Sequence, residues 1–216
     1  MMQLHYYPSN ASMAPHMLLR EIGAPFELVR VDRDRDAHKS EAYLKLNPNG
    51  LIPVLVDGDQ VLYESAAICL HLADRWPGHR LMPELGSMER AHAYKWLMWL
   101  TNTMQPALML YYYPERWFDP GQDGAVRQLQ RHAQARIVEQ LGQIDRQLAR
   151  HGGDWFLGDA FSVLDPFCFM LCRWTRGFDD RPARSFAHIG PYLARVAARP
   201  AVRAAIEAEG LPLPWY

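Results

Sequence analysis

Asn47-Pro48-Asn49-Gly50-Leu51-Ile52-Pro53-Val54-Leu55-Val56-Asp57-Gly58-Asp59-Gln60-Val61-Leu62-Tyr63-Glu64-Ser65 decides how the chain is read. Two short apolar runs, Leu51 to Val56 and Val61 to Tyr63, flank Asp57-Gly58-Asp59. An Asp-Gly pair between such runs signals a hairpin, because glycine supplies the positive φ of a tight turn. Working outward, helical spacing resumes from Ser65 to about Trp76, and a further helical stretch ends near Leu46. Upstream of that, Leu4 to Tyr7, Ser12 to Ile22 and Phe26 to Val31 read as strand, helix and strand, a βαβ unit.

The order β-α-β-α-β-β-α predicts a mixed four-stranded sheet with helices on its faces, an α/β domain of thioredoxin-like topology over residues 1–77. Pro77-Gly78, Pro83 and Gly86 then interrupt the periodicity and mark 78–87 as a linker. From 88 to 216 the strand signals stop. Helical patterns run from Glu89 to about Tyr113, Ala125 to Arg150, Leu164 to about Thr175, Pro191 to Ala198 and Ala201 to Glu209, an all-α bundle. Ser162-Val163-Leu164-Asp165 has the Ser-x-x-acid form in which two side chains satisfy each other's free backbone N–H groups at a helix start, a structural role.

Composition narrows the partners. Across 216 residues, 49% hydrophobic residues suffice for well-filled cores, and 23 Lys+Arg against 24 Asp+Glu leave no basic excess for nucleic acid or a membrane surface. Met1-Met2-Gln3-Leu4-His5 enters a strand pattern directly, without a secretory leader, and no apolar run spans a bilayer. Cys69, Cys168 and Cys172 are odd in number and sit in apolar helical contexts, which predicts core thiols in a reducing, cytoplasmic setting. The nine histidines show no ligand spacing, so no metal is expected.

Four separated segments together resemble the soluble glutathione transferases. They are Tyr7 to His16, Asn47 to Leu55, Tyr63 to Ile68 and the Ser162 to Asp165 cap. The Ser12 to His16 portion is most similar to the bacterial beta class, whose helix opening reads Pro-Gly-Ala-Cys-Ser-Leu-Ala-Pro-His. Ala11 occupies the position of that class's cysteine, and Gln105-Pro106 the position of its His-Lys pair. The resemblance implies a glutathione transferase fold, glutathione as co-substrate, a small hydrophobic electrophile as second substrate, a detoxifying role and a homodimer.

On this reading, the main chain of Ile52, turned outward by a cis bond to Pro53, pairs with the cysteinyl part of glutathione as an added strand. The plain alternative is a proline closing a turn. Glu64 and Ser65 stand where a strand meets a helix, so free N–H groups and the Ser65 hydroxyl can take the γ-glutamyl carboxylate, with Glu64 near the ammonium. Otherwise Ser65 is an ordinary cap and Glu64 a solvated charge. Arg33, Arg35, His38 and Lys39 supply positive charge for the glycyl carboxylate, unless they form a solvated loop balanced by Asp32, Asp34 and Asp36.

The thiol then lies by the start of the first helix, with Ser12, Asn10 and Ser9 as candidate donors. Ser12 is equally suited to cap that helix. Lowering a thiol from about 8.5 by about two units requires roughly 2.7 kcal/mol, within reach of one charge-assisted hydrogen bond plus a helix end. Ala11 excludes a mixed disulfide at its position. That leaves attack of a glutathione thiolate on an electrophilic carbon, or reduction of a peroxide or disulfide by glutathione itself; a non-catalytic glutathione-binding or protein-interaction module is the rival. Met104, Leu108, Tyr111 and Tyr112, with Tyr113, are the candidate lining of the electrophile pocket.

Overall fold

The computed structural model describes residues 1–216. Four strands, β1 (Met2–Tyr6), β2 (Phe26–Arg30), β3 (Val54–Asp57) and β4 (Gln60–Tyr63), form one sheet in the order β2-β1-β3-β4. β1 pairs parallel with β2, because α1 (Met13–Ile22) carries the chain back across the sheet face. β3 pairs antiparallel with both β1 and β4, and Asp57 sits opposite Gln60 across the Gly58-Asp59 turn. The hairpin expected from Asp57-Gly58 is present, with Gly58 at φ 61.

Two sequence expectations shift here. Leu51 to Pro53 lie outside the ladder, so β3 starts at Val54. The stretch before Leu46 is two 3₁₀ turns, Arg33–Arg35 and Ala37–Lys39, followed by one turn of helix, α2 (Glu41–Leu44), capped by the Ser40 hydroxyl accepting from Tyr43 N–H at 3.3 Å. α3 (Ser65–Arg75) then closes the α/β half.

The remainder is helical: α4 (Met88–Trp99), α5 (Gln105–Tyr112), α6 (Asp123–His151), α7 (Leu164–Arg173), α8 (Ile189–Ala198) and α9 (Pro200–Ala208). The single helix expected from Glu89 to Tyr113 is divided by a π turn at Leu100–Met104. Pro106 explains it, since proline has no N–H to donate and its ring crowds the carbonyl four residues back.

One hydrophobic core runs through both halves, from Leu4 and Leu18 beneath the sheet to Phe167, Phe169 and Ile206 among the helices. α1 makes this continuity, having the sheet on one side and α7 and α9 on another, and buries eight of its ten residues. Arg199 reaches across to Glu21 as an ion pair on the same seam. Cys69, Cys168 and Cys172 are free, buried thiols, with the last two Sγ atoms 3.8 Å apart. No helix is long and apolar enough to cross a membrane.

Candidate functional site

The loop from β1 to α1 supplies the first wall. Ser9 holds φ 61, and it is clamped from the helical half on both sides of its backbone: its N–H donates to Glu209 Oε2 at 2.9 Å, and its carbonyl accepts from Trp174 Nε1 at 3.1 Å. Asn10 turns its Oδ1 onto the N–H of Ala11 at 2.6 Å, an acceptor-only contact that fixes which end of the amide is oxygen. The Asn10 N–H₂ makes no hydrogen bond within the chain, and Asn10, Ser9 and Ala11 all border a cavity of about 530 Å³. That volume suits a small molecule.

Ser12, the first candidate for a thiol donor, is corrected by its surroundings. It is fully buried, and its hydroxyl donates to the Tyr7 carbonyl at 3.2 Å while accepting from the Tyr7 N–H at 3.4 Å. It neither caps α1 through its side chain nor lines the cavity. It holds the loop's shape, leaving Asn10 and Ser9 as the side chains at hand. The Tyr7 hydroxyl also points elsewhere, donating to Asp34 at 2.9 Å.

Ile52 forms the floor beside Gly50 and Leu51. Its bond to Pro53 is cis, and neither its N–H nor its C=O is taken by another group of the chain. Leu51 differs, since its carbonyl accepts from Tyr43 and Asn47 side chains. Lys39 borders the cavity and rests over Gly50, where a Cβ would lie 2.8 Å from Nζ and 2.9 Å from the His38 carbonyl. Arg35 does not join it: the side chain is 88% exposed and pairs with Asp32 at 3.6 Å, because the 3₁₀ turn directs Arg33, two residues earlier, toward the cavity.

Glu64 and Ser65 lie on an adjoining cavity of similar size, separated from the first by Gln105 and Met109, which border both. Glu64 adopts φ 73 and ψ 111, sparsely populated for a residue with a side chain and costing on the order of 1–3 kcal/mol. That backbone aims the start of α3 at the cavity, where the N–H groups of Ser65 and Ala66 and the Ser65 hydroxyl have no partner in the chain. Such a helix end receives a carboxylate.

The facing wall comes from the helical half and departs most from expectation. Met104 and Leu108 are fully buried in the core, and Tyr111 packs on Phe178 with ring centroids 4.6 Å apart, so these three do not line the cavity. A helix buries one stripe, and those three lie on it. Tyr112 does line the cavity, its hydroxyl donating to the Trp174 carbonyl, and Tyr113 and Met109 stand beside it. Sequence reasoning missed Trp174, Arg116 and Arg176, which arrive from separate segments. Gln105 presents a neutral amide where the two cavities meet.

Of the Ser162 to Asp165 cap, one half has the expected form: Ser162 N–H donates to Asp165 Oδ2 at 2.7 Å. The Ser162 hydroxyl accepts from Leu164 rather than from Asp165, whose N–H goes to the Ser162 carbonyl. Asp165 also gathers Phe156 N–H at 2.8 Å and the Tyr192 hydroxyl at 3.0 Å. Burial raises its carboxyl to about 6 despite these donors. No group of three or more His, Cys, Asp or Glu side chains is placed to hold a metal ion.

Two family models match this chain: the glutathione S-transferase N-terminal domain over residues 8–75 and the glutathione S-transferase C-terminal domain over 108–209. The chain is 32% identical to glutathione S-transferase 3 of Zea mays, covering 91% of this chain and 89% of that one. The chain belongs to the soluble glutathione transferase family. Among solved members of this family, a bacterial beta class enzyme from Sphingomonas chungbukensis superposes with TM-score 0.81 at 31% identity, over 97% of this chain and 100% of that one. A sphingomonad glutathione S-transferase complexed with glutathione gives the same TM-score and coverage at 33% identity. As a glutathione transferase, the chain has an α/β half and a helical half that meet at the cavities described above.

Proposed function

We propose that this glutathione transferase binds glutathione across the two cavities and delivers its thiolate to a small hydrophobic electrophile. The γ-glutamyl carboxylate goes to the free N–H groups and hydroxyl at Ser65, with Glu64 beside the ammonium. The cysteinyl unit pairs with the unengaged main chain of Ile52, and the glycyl carboxylate goes to Lys39. In this arrangement residues 1–77 hold glutathione, 78–87 link, and 88–216 shape the electrophile pocket through Tyr112 and its neighbours.

The observation that carries the reading is the Asn10 amide. Its N–H₂ is unpartnered at the cavity, beside the start of α1, while its oxygen is locked to Ala11. A fixed neutral donor and four nearby cations favour thiolate over thiol without a cysteine or a histidine. Glutathione bound in the sphingomonad relative supports the same co-substrate here. Ala11 and Gln105-Pro106 favour the rival, a glutathione-binding module without catalysis.

Ultraviolet absorbance of bound thiolate separates the two. The expected result is glutathione ionised well below about pH 8.5 in the parent and at least tenfold less thiolate at neutral pH in Asn10→Ala. Ser65→Ala weakens glutathione binding about tenfold. Tight binding with an unshifted thiol supports the module instead, and a panel of aryl halides, epoxides, peroxides and mixed disulfides sorts conjugation from reduction.

A homodimer is part of the proposal. α4 exposes Met88 (70%), Tyr94 (39%) and Met98 (42%) on a face that also carries Lys95, apolar surface that a second copy could cover. Sedimentation at micromolar concentration as a monomer rejects it. The three buried free thiols fit a cytoplasmic setting.

A further inference from the structure

We propose that the second substrate is an organic anion, an aromatic carboxylate bearing a leaving group, held by Arg116 and Arg176 against the tyrosine wall. This rests on the transferase reading above and narrows its substrate class.

Charge carries the inference. Arg33, Lys39, Arg116 and Arg176 border the first cavity, and no aspartate or glutamate does. None of these four takes part in an ion pair; at the cavity only His38 does, 4.0 Å from Asp36. The chain as a whole is nearly neutral, so this concentration is local. The same field reaches His38, whose imidazole is held below its ordinary range by burial first, then by Arg33 and Lys39, with Arg116 adding and Asp36 opposing.

Glutathione does not consume the whole field. With its ammonium and glutamyl carboxylate at the adjoining cavity, it brings a thiolate and one carboxylate to this one. Lys39 is placed for the glycyl carboxylate. Arg33 is held by the Tyr113 hydroxyl at 3.4 Å and lies over the Tyr7 ring at 5.7 Å. Arg116 and Arg176 are left, both on the helical side where the electrophile enters.

Their setting selects a planar anion. The Arg116 guanidinium stacks on the Tyr113 ring at 3.9 Å, which orients its fork while leaving its N–H edge open. Arg176 is half-buried and spends one nitrogen on the Arg173 carbonyl at 3.2 Å. A guanidinium fork matches a carboxylate, and the rings of Tyr112, Tyr113 and Trp174 offer apolar faces for an aryl group. A purely neutral electrophile leaves both cations without a counter-charge.

The test compares 4-chloro-3-nitrobenzoate with 4-chloro-3-nitrobenzamide. In each, the glutathione sulfur attacks the ring carbon bearing chlorine, the nitro-substituted ring holds the displaced electron pair, and chloride departs with the C–Cl pair as the ring is restored. The kcat/KM values are divided by the uncatalysed rates with free glutathione, which removes the difference in intrinsic reactivity. The expected preference for the carboxylate is at least tenfold, falling about tenfold in the Arg116→Gln, Arg176→Gln double variant and falling with added salt. The Arg→Lys pair, which keeps charge but loses the fork, lies between. A preference near one in the parent, or one unchanged in the double variant, overturns the inference.

Failure of the parent reading is distinguishable. If neither compound is turned over while glutathione still binds, tryptophan fluorescence titration with unreactive 3-nitrobenzoate and 3-nitrobenzamide, glutathione present, measures the same preference without chemistry. Tighter binding of the acid, lost in the double variant, upholds an anion site; equal binding overturns it.

Discussion

Asp165 and Glu209 are both buried acids, yet they collect their partners over very different lengths of chain. Asp165 takes Ser162, Phe156 and Tyr192, all within the helical half, and its donors are neutral. Glu209, just past α9, accepts from Ser9 N–H and faces His16 Nδ1 at 2.8 Å, both about two hundred residues away. The first organises a helix start; the second ties the end of the chain to the wall of the cavity. A local cluster of donors can be read from spacing, whereas a cross-chain clamp exists only once α1 and α9 lie side by side.

The contrast is broken most directly at Asp165. Asp165→Ala leaves Phe156 N–H, Ser162 N–H and the Ser162 hydroxyl without this acceptor and the Tyr192 hydroxyl with only the residue 165 carbonyl at 3.4 Å, with an expected loss of about 3–5 kcal/mol in urea unfolding. A loss below about 1 kcal/mol means those donors find other partners. The wild-type advantage also depends on pH. The native carboxyl keeps its proton up to about 6, whereas an unfolded aspartate releases it near 3.9. The native state therefore binds more protons between these values, so the stability due to this group falls as pH rises across that window, by roughly 2–3 kcal/mol. The gap between wild type and variant is accordingly wider at pH 4 than at pH 7; a gap that widens toward neutrality contradicts the burial argument.

Glu209→Gln sharpens the other side. An amide can still accept from Ser9 through its oxygen but turns an N–H₂ rather than a carboxylate oxygen toward His16, for an expected loss of about 1–3 kcal/mol. Because the Ser9 loop carries Asn10, thiolate formation should fall with stability, whereas Asp165→Ala at a temperature where it remains folded should leave the bound thiol's ionisation in place. Equal effects on ionisation from both variants erase the distinction. Ser162→Ala has the smallest consequence, about 1 kcal/mol, since the Leu164 N–H loses its acceptor and Asp165 loses one donor at 3.2 Å while keeping the other three.

The same division explains which site residues were legible. Ile52 and Ser65 belong to short motifs whose chemistry depends on adjacent backbone, Lys39 to a run of charge, and each borders a cavity. Ser12 is not decided by sequence, because a serine before a helix suits a cap or a ligand contact equally, and here the Tyr7 backbone claims it as a loop tie. Arg35 and Arg33 differ only by which side of a 3₁₀ turn they occupy. Met104, Leu108 and Tyr111 show that helical spacing identifies an apolar stripe without saying whether it faces core or cavity. Trp174, Arg116 and Arg176 carry no motif at all.

Alternation, turn chemistry and breaker residues by themselves determined the strand-helix order, the Asp57-Gly58 hairpin and the division into an α/β half and a helical half, because these depend on neighbours a few residues apart. Only the tertiary structure decided that one core unites the halves, that Glu209 grips the Ser9 loop, and that unpaired guanidinium groups gather opposite Asn10. Those features join atoms brought together by packing across the whole chain, and neither periodicity nor composition encodes which distant surfaces meet.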